Sequence, residues 1–304
     1  MFINNNLKVK IDEEYKILWI GVDFDDRLCY SPTFLENLTK VHDLISYFIK
    51  KEDVEYVVYH TLNKNIWNLG GDLDHFVHCI TSKNRNLLKD YAYKCIDLVF
   101  NLNNSYNFNI CSTCVIQGNA FGGGFESALA GNYIIAESSA KFSFPEVIFG
   151  SFPGMGAYSF LTKRIGYKKA NEIIYSNKSY SANELLDLGI IDEVCEDGHG
   201  ISEMSLRIKN GDLKKYVNDP FHNAVSRVPK EELLSVVDLW VERAFSLSDE
   251  NLKRMLKLAS FQQRKIDKEK QDNHSYNLTE EQKTQEINNI INNSFKNGNG
   301  NGDK

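Results

Sequence analysis

Two glycine clusters in this 304-residue chain stand where backbone N–H groups can hold a negative charge. Gly122-Gly123-Gly124 follow a strand-like CVIQG run and precede ESALA, a good helix start. Glycine lets the backbone turn tightly with its N–H groups exposed. At a helix start those groups lie at the positive end of the helix dipole. The segment WNLGGDLDHF repeats the arrangement: Gly70-Gly71 precede Asp72, a suitable cap for a short helix through Phe76. Two such turns can converge on one carbonyl oxygen as an oxyanion hole, where each donor contributes about 3–4 kcal/mol in well-studied acyl transfers. A GGG by itself is more often a plain turn, and it lacks the GxGxxG spacing of a dinucleotide site.

The elements that must carry these turns read as an α/β domain. YKILWIGVDF (15–24) and VEYVVYH (54–60) are strand-like, and between them Leu38, Val41, Leu44, Ile45, Phe48 and Ile49 recur at helical spacing. A long helix is expected over 80–102, then strand CVIQG, a short helix through Ala130 and strand YIIAE (133–137). Strands alternating with helices imply a parallel sheet with continuously apolar strands. That pattern alone also fits a doubly wound nucleotide fold. Helices dominate beyond residue 165, the last two over 228–247 and 248–266, with Ser248 as N-cap of the second. The expected division is a core over 1–200, a helical region over 201–266 and a polar, Asn-rich, disordered tail over 267–304.

Composition narrows the function classes. A net charge of −6 argues against a broad nucleic-acid surface. No run approaches the roughly 18 apolar residues of a membrane span, and the N-terminus lacks the apolar core of a signal peptide, so a cytoplasmic protein is expected. Cys111 and Cys114 form a CxxC, but three positions apart on a strand they point to opposite faces and read as core. His75 and His78 have no evident third ligand, so no metal is expected.

The glycine segments, with FPEV and PGMG downstream, resemble the crotonase family, also called the enoyl-CoA hydratase/isomerase family. The resemblance covers about residues 15–200 and implies a ββα spiral core with a C-terminal helical region. It assigns the two oxyanion N–H groups to Gly71 and Gly123, and the catalytic carboxylates to Glu126 and Glu146. Within that family, NLGGDL, GGGFE, FPGMGAYSFL and VDLWVERA look like bacterial diffusible-signal-factor synthases, over roughly residues 15–265. That likeness implies dehydration of a 3-hydroxyacyl chain on acyl carrier protein to a cis-2-enoyl thioester, with release of the free unsaturated acid. The alternative is an enoyl-CoA hydratase or isomerase of fatty acid metabolism. No cofactor is implied beyond the phosphopantetheine of the carrier or of CoA. A homotrimer and a sensor-kinase regulator are implied as partners.

The chemistry explains why two carboxylates are needed. The proton beside a thioester carbonyl is very weakly acidic, so the enolate oxygen must be held while one group takes the proton and another helps the 3-hydroxyl leave. Two carboxylates facing one small space separate in pKa. Phe125, Phe142, Phe144 and Phe149 provide an apolar surround that raises at least one of them. Singly, Glu126 reads as a dipole-stabilising surface residue and Glu146 as a loop cap; with both glycine segments in register they read as a catalytic pair, its base unassigned. Leu69, Phe152, Met155, Trp240 and Met255 are candidates for an acyl-tail slot, although helix packing explains any one of them alone. Lys163-Arg164 and Lys168-Lys169 could meet a phosphopantetheine or an acidic carrier, but read first as a solvated helix face.

Overall fold

Runs of β-branched and aromatic residues form the centre of the computed structural model, which describes residues 2–4, 6–24, 27–63, 65–217 and 219–274. The strands are β1 (Phe2–Asn4), β2 (Leu7–Asp12), β3 (Ile17–Val22), β4 (Tyr56–Thr61), β5 (Asn65–Asn68), β6 (Cys111–Ile116), β7 (Gly118–Phe121), β8 (Tyr133–Glu137), β9 (Lys141–Ser143), β10 (Tyr180–Ser181) and β11 (Glu193–Cys195). The helices are α1 (Pro32–Lys51), α2 (Leu73–Thr81), α3 (Arg85–Asn103), α4 (Gly123–Leu129), α5 (Ala157–Ile165), α6 (Tyr167–Tyr175), α7 (Ala182–Asp187), α8 (Gly200–Lys209), α9 (Lys214–Val217), α10 (Pro220–Ser226), α11 (Lys230–Phe245) and α12 (Asp249–His274).

One seven-stranded sheet runs β1-β2-β3-β4-β6-β8-β11. It is parallel from β3 to β11, and β1 and β2 add antiparallel at its edge. All six residues of β4 and all six of β6 are buried, as strands covered on both faces must be. Alternation sorts their side chains. Val57, Tyr59, Cys114 and Ile116 join the main core, while Tyr56, Val58, Cys111 and Val115 pack with Ile201, Met204 and Ile208 of α8. Cys111 and Cys114 are thus core residues on opposite faces, and burial pushes both thiols up.

A second sheet, β10-β9-β7-β5, positions the site. Its members β5, β7 and β9 are parallel neighbours, in register at Asn68↔Ala120 and Phe121↔Ser143. Three successive loops therefore leave the same edge of this sheet: Leu69-Gly70-Gly71, Gly122-Gly123, and Phe144-Pro145-Glu146. The carboxyl ends of parallel strands are where α/β folds place their ligands. These strands have two to four residues each, too short for a periodicity to mark them, and the single parallel sheet expected from the sequence becomes two.

The long helix expected over 80–102 is two helices. Lys83 takes φ +55° and Asn84 leaves helical geometry, with its side chain accepting from Leu87 N at 3.1 Å to cap α3. Ser248 caps α12 through Asn251 N at 3.3 Å. That helix runs on to His274 rather than stopping at 266. Residues 275–304, with most of the expected tail, lie outside the described residues. Helix α11 packs on α3, and α12 lies across α2 and the single helical turn Pro145–Phe149, so the C-terminal helices cover the loop edge. No helix among the described residues is long and apolar enough to cross a membrane.

Candidate active site

The first glycine turn is held from both sides. Asn68 Oδ1 accepts from Gly70 N at 2.6 Å, and Gly70 O accepts from Tyr30 N at 2.9 Å. In a trans peptide the N–H points opposite to the carbonyl, so fixing Gly70 O on Tyr30 turns the Gly71 N–H the other way. Gly70 adopts φ +95°, and a Cβ there would lie 2.8 Å from Phe121 O, so glycine is required. The turn passes into α2 through Asp72, which accepts from His75 N at 3.2 Å and from Arg27 Nη2 at 2.6 Å.

The second turn approaches the first closely. Gly122 takes φ +52° and ψ −126°, and its N–H is spent on Ser143 O at 2.9 Å. The Gly123 N–H is therefore the first open donor of α4. A Cβ on Gly124 would fall 2.3 Å from Asn68 O, and one on Gly123 would lie 3.7 Å from Gly70 Cα. Gly71 and Gly123 line one cavity of about 230 Å³, and neither N–H has a protein acceptor among the described residues.

Both glutamates line the same cavity. Glu126 ends the first turn of α4 and is 2% exposed. Its Oε1 accepts from Met155 N at 2.7 Å and Ala157 N at 2.9 Å. These donors come from the PGMG turn and the first residue of α5, into which Gly156 bends the chain at φ +119°. Burial raises the Glu126 pKa, and the backbone donors hold the rise back by favouring the carboxylate. Glu146 follows β9. The residue is half-buried, but its Oε2 is sealed from solvent with no hydrogen-bond partner among the described residues. Burial raises its pKa well above the ordinary value, and the charge on Glu126 raises it further. Both carboxyl groups are thus raised and titrate as one pair, Glu146 being raised further than Glu126.

The acyl-slot expectations divide. Leu69, Met155 and Trp240 line the cavity; Phe152 and Met255 do not. Phe152 is half-buried against the main core and packs edge-on against Tyr158 at 6.1 Å. Met255 is buried one turn nearer the start of α12 than Leu258, which does reach the cavity. Phe76, Ala92, Leu258 and Phe261 complete the apolar wall. Phe76 meets the Trp240 ring at 5.0 Å, and a Cβ on Gly154 would fall 2.5 Å from Trp240 Cγ. Of the expected aromatic surround, Phe149 reaches the cavity, while Phe125 stacks on Phe144 at 4.7 Å and leans on Phe142 at 5.1 Å behind it.

The remaining candidates sit elsewhere. His75 lies beside the Tyr91 ring at 5.1 Å, and the described residues contain no group of three or more His, Cys, Asp and Glu placed to hold a metal. Arg164 donates to Gly131 O at 2.6 Å, and Lys169 pairs with Glu172 at 3.3 Å, while Lys163 and Lys168 are exposed.

The family model described as enoyl-CoA hydratase/isomerase matches residues 34–210. The chain is 42% identical over 86 residues to enoyl-CoA isomerase/hydratase fer4 of Mycosarcoma maydis, covering 28% of this chain and 31% of that protein. Aligned stretches span from 11% to 33% of the length of the first such relatives. The crystal structure of enoyl-CoA hydratase from Bacillus halodurans superposes with a TM-score of 0.69 at 22% identity, covering 83% of this chain and all of that one. DspI of Pseudomonas aeruginosa superposes with a TM-score of 0.55 at 21% identity, covering 85% of this chain and 90% of that one. Both structural likenesses concern the fold.

Proposed function

The chain belongs to the enoyl-CoA hydratase/isomerase family, and from that premise we propose that it adds water to, and removes it from, the α,β-carbons of an acyl thioester. The observation that carries this reading is one cavity lined by two uncommitted glycine N–H groups and by two carboxyl groups whose pKa values burial raises. The thioester oxygen sits between the N–H groups of Gly71 and Gly123, which gain strength as negative charge develops there. In the hydration direction Glu126 takes a proton from water, whose oxygen bonds to the β-carbon. The α-carbon of the enolate takes the proton of Glu146. Dehydration is the same path reversed: Glu146 removes the α-proton and protonated Glu126 delivers its proton to the departing hydroxyl.

The narrower reading is a dehydratase–thioesterase acting on 3-hydroxyacyl carrier protein to release a cis-2-unsaturated fatty acid signal. NLGGDL, GGGFE, FPGMGAYSFL and VDLWVERA support it. So does an apolar cavity roofed by α11 and α12, which suits an acyl tail. Release needs water to attack the thioester carbon, with the same two N–H groups holding the oxygen and a glutamate taking the proton. Carrier-protein docking, a trimer and a cytoplasmic location belong to this proposal. The alternative, a CoA-dependent hydratase or isomerase, draws on the fer4 likeness.

Matched 3-hydroxyacyl and 2-enoyl thioesters of CoA and of carrier protein, analysed by mass spectrometry, test both. Free cis-2-unsaturated acid from the carrier substrate supports the narrower reading. Interconversion of thioesters without acid release supports the alternative. No conversion of any of them overturns the proposal.

A further inference from the structure

One hydrogen bond ties the last described helix to the first oxyanion turn. Gln262 Nε2 donates to Leu69 O at 2.8 Å, joining residues 193 positions apart. The same peptide unit is held at its other end, since its N–H, that of Gly70, donates to Asn68 Oδ1 at 2.6 Å. The following peptide unit carries the Gly71 donor. Gly70, at φ +95°, is the only residue between them, and glycine resists rotation less than any other residue there. Tyr30 N holds that following unit through Gly70 O at 2.9 Å, while the Leu69–Gly70 plane, pinned by Gln262 and Asn68, sets the Gly70 Cα about which it would swing.

Gln262 also lies within the roof of the cavity. Leu258 and Phe261, four positions and one position before it on α12, line the same space. Helix α12 rests on the loop that carries Glu146: a Cβ on Gly150 would fall 2.4 Å from Asn251 Nδ2. A tail lying against Leu258 and Phe261 holds α12 down, and with it the side chain that pins the turn.

We propose that Gln262 is a positioning residue, coupling the seating of an acyl tail under α12 to the aim of the Gly71 oxyanion donor. This rests on the thioester reading above, and its test has an arm that does not depend on activity. Gln262→Met keeps similar length and apolar packing but cannot donate. Turnover of a long-chain thioester should fall about tenfold in kcat with KM nearly unchanged, because the lost bond acts on the transition state. The advantage in kcat of long over short acyl chains should shrink. Hydrogen exchange of the peptide spanning 69–73 should quicken, since the Gly70 amide is protected by the Asn68 bond and the Asp72 amide by Tyr91 Oη at 3.2 Å. Gln263→Met, on the outer face where Gln263 bonds Asp267 at 2.9 Å, should change none of these. Unchanged exchange in Gln262→Met, or a loss confined to KM, overturns the proposal. If the parent turns over no thioester, the thioester reading fails and the exchange arm alone decides the role of Gln262.

Discussion

Replacing Gly122 by alanine separates the position of Glu146 from mere backbone strain. A Cβ at Gly122 would lie 2.5 Å from Glu146 Oε1, inside any real carbon–oxygen contact, and φ +52° with ψ −126° is disfavoured for an L-residue. Strain of this kind costs about 1–3 kcal/mol. At about 2–4 °C per kcal/mol for larger domains, the Tm should fall by roughly 2–12 °C. The collision adds a second effect, because the carboxyl group must move by a substantial part of an ångström. Displacements of about 1 Å in a catalytic group cost on the order of a hundredfold in rate. Gly166→Ala supplies the control: φ is +79°, and nothing lies within 4 Å of its Cβ position. Both variants are to be compared by calorimetry and by steady-state turnover of a 3-hydroxyacyl thioester. We expect similar losses of Tm, with a loss of about a hundredfold in kcat only for Gly122→Ala. Equal turnover in the two folded variants would refute the placement of Glu146 in the chemistry.

Four further outcomes follow from the same structure. Turnover requires one proton on the glutamate pair, so kcat/KM should fall in acid as Glu126 protonates and in alkali as Glu146 ionises, both limbs lying above the ordinary carboxyl pKa of about 4.3. The raised pKa of Glu146 stabilises the fold below its unfolded value, and that contribution is lost as pH rises through the folded value. The Tm of Glu146→Gln should accordingly gain on the parent from acid to alkaline pH, and a constant difference would contradict this. Asn84→Ala removes the cap of α3 and should cost about 1 kcal/mol in thermal unfolding with turnover unchanged. Trp240→Ala should cost about 3–5 kcal/mol in chemical denaturation and shift the acyl-chain preference in competition assays; an unchanged preference would make Trp240 purely structural.

Much of the site was legible because its chemistry constrains residue type. Gly70, Gly122 and Gly124 stand where positive φ or close backbone approach admits no side chain, and those needs leave a mark in the sequence. Strands β3, β4 and β8 were legible because burial on both faces demands apolar runs, whereas only the Cys114–Ile116 end of β6 was, its start at Cys111-Ser112-Thr113 being partly polar. The second sheet was not, since β9 and β10 are very short and β7 contains the glycine-bearing GNAF. LKVKID of β2 does alternate and could have been read as an edge strand. The break at Lys83-Asn84 lies in a polar run over 81–86 with Asn, a strong cap, inside it, and could have been read as a helix boundary. The role of PGMG and Ala157 as donors to Glu126 depends on backbone N–H groups, which every non-proline residue carries, so residue identity did not reveal it. Phe152 and Met255 show the same limit for apolar walls. Hydrophobic residues near a site are many, and which of them face it depends on rotations about helices and loops that spacing alone does not determine.

The most direct measurement is conversion of a 3-hydroxyacyl thioester by the parent, Glu126→Gln and Glu146→Gln, followed by mass spectrometry with folding checked by circular dichroism. The parent should form enoyl product, and each folded variant should lose at least about a thousandfold in turnover, as removal of a general acid or base from an oxyanion site entails. Near-parental turnover in either variant would contradict the assignment of Glu126 and Glu146 as the pair that moves the protons.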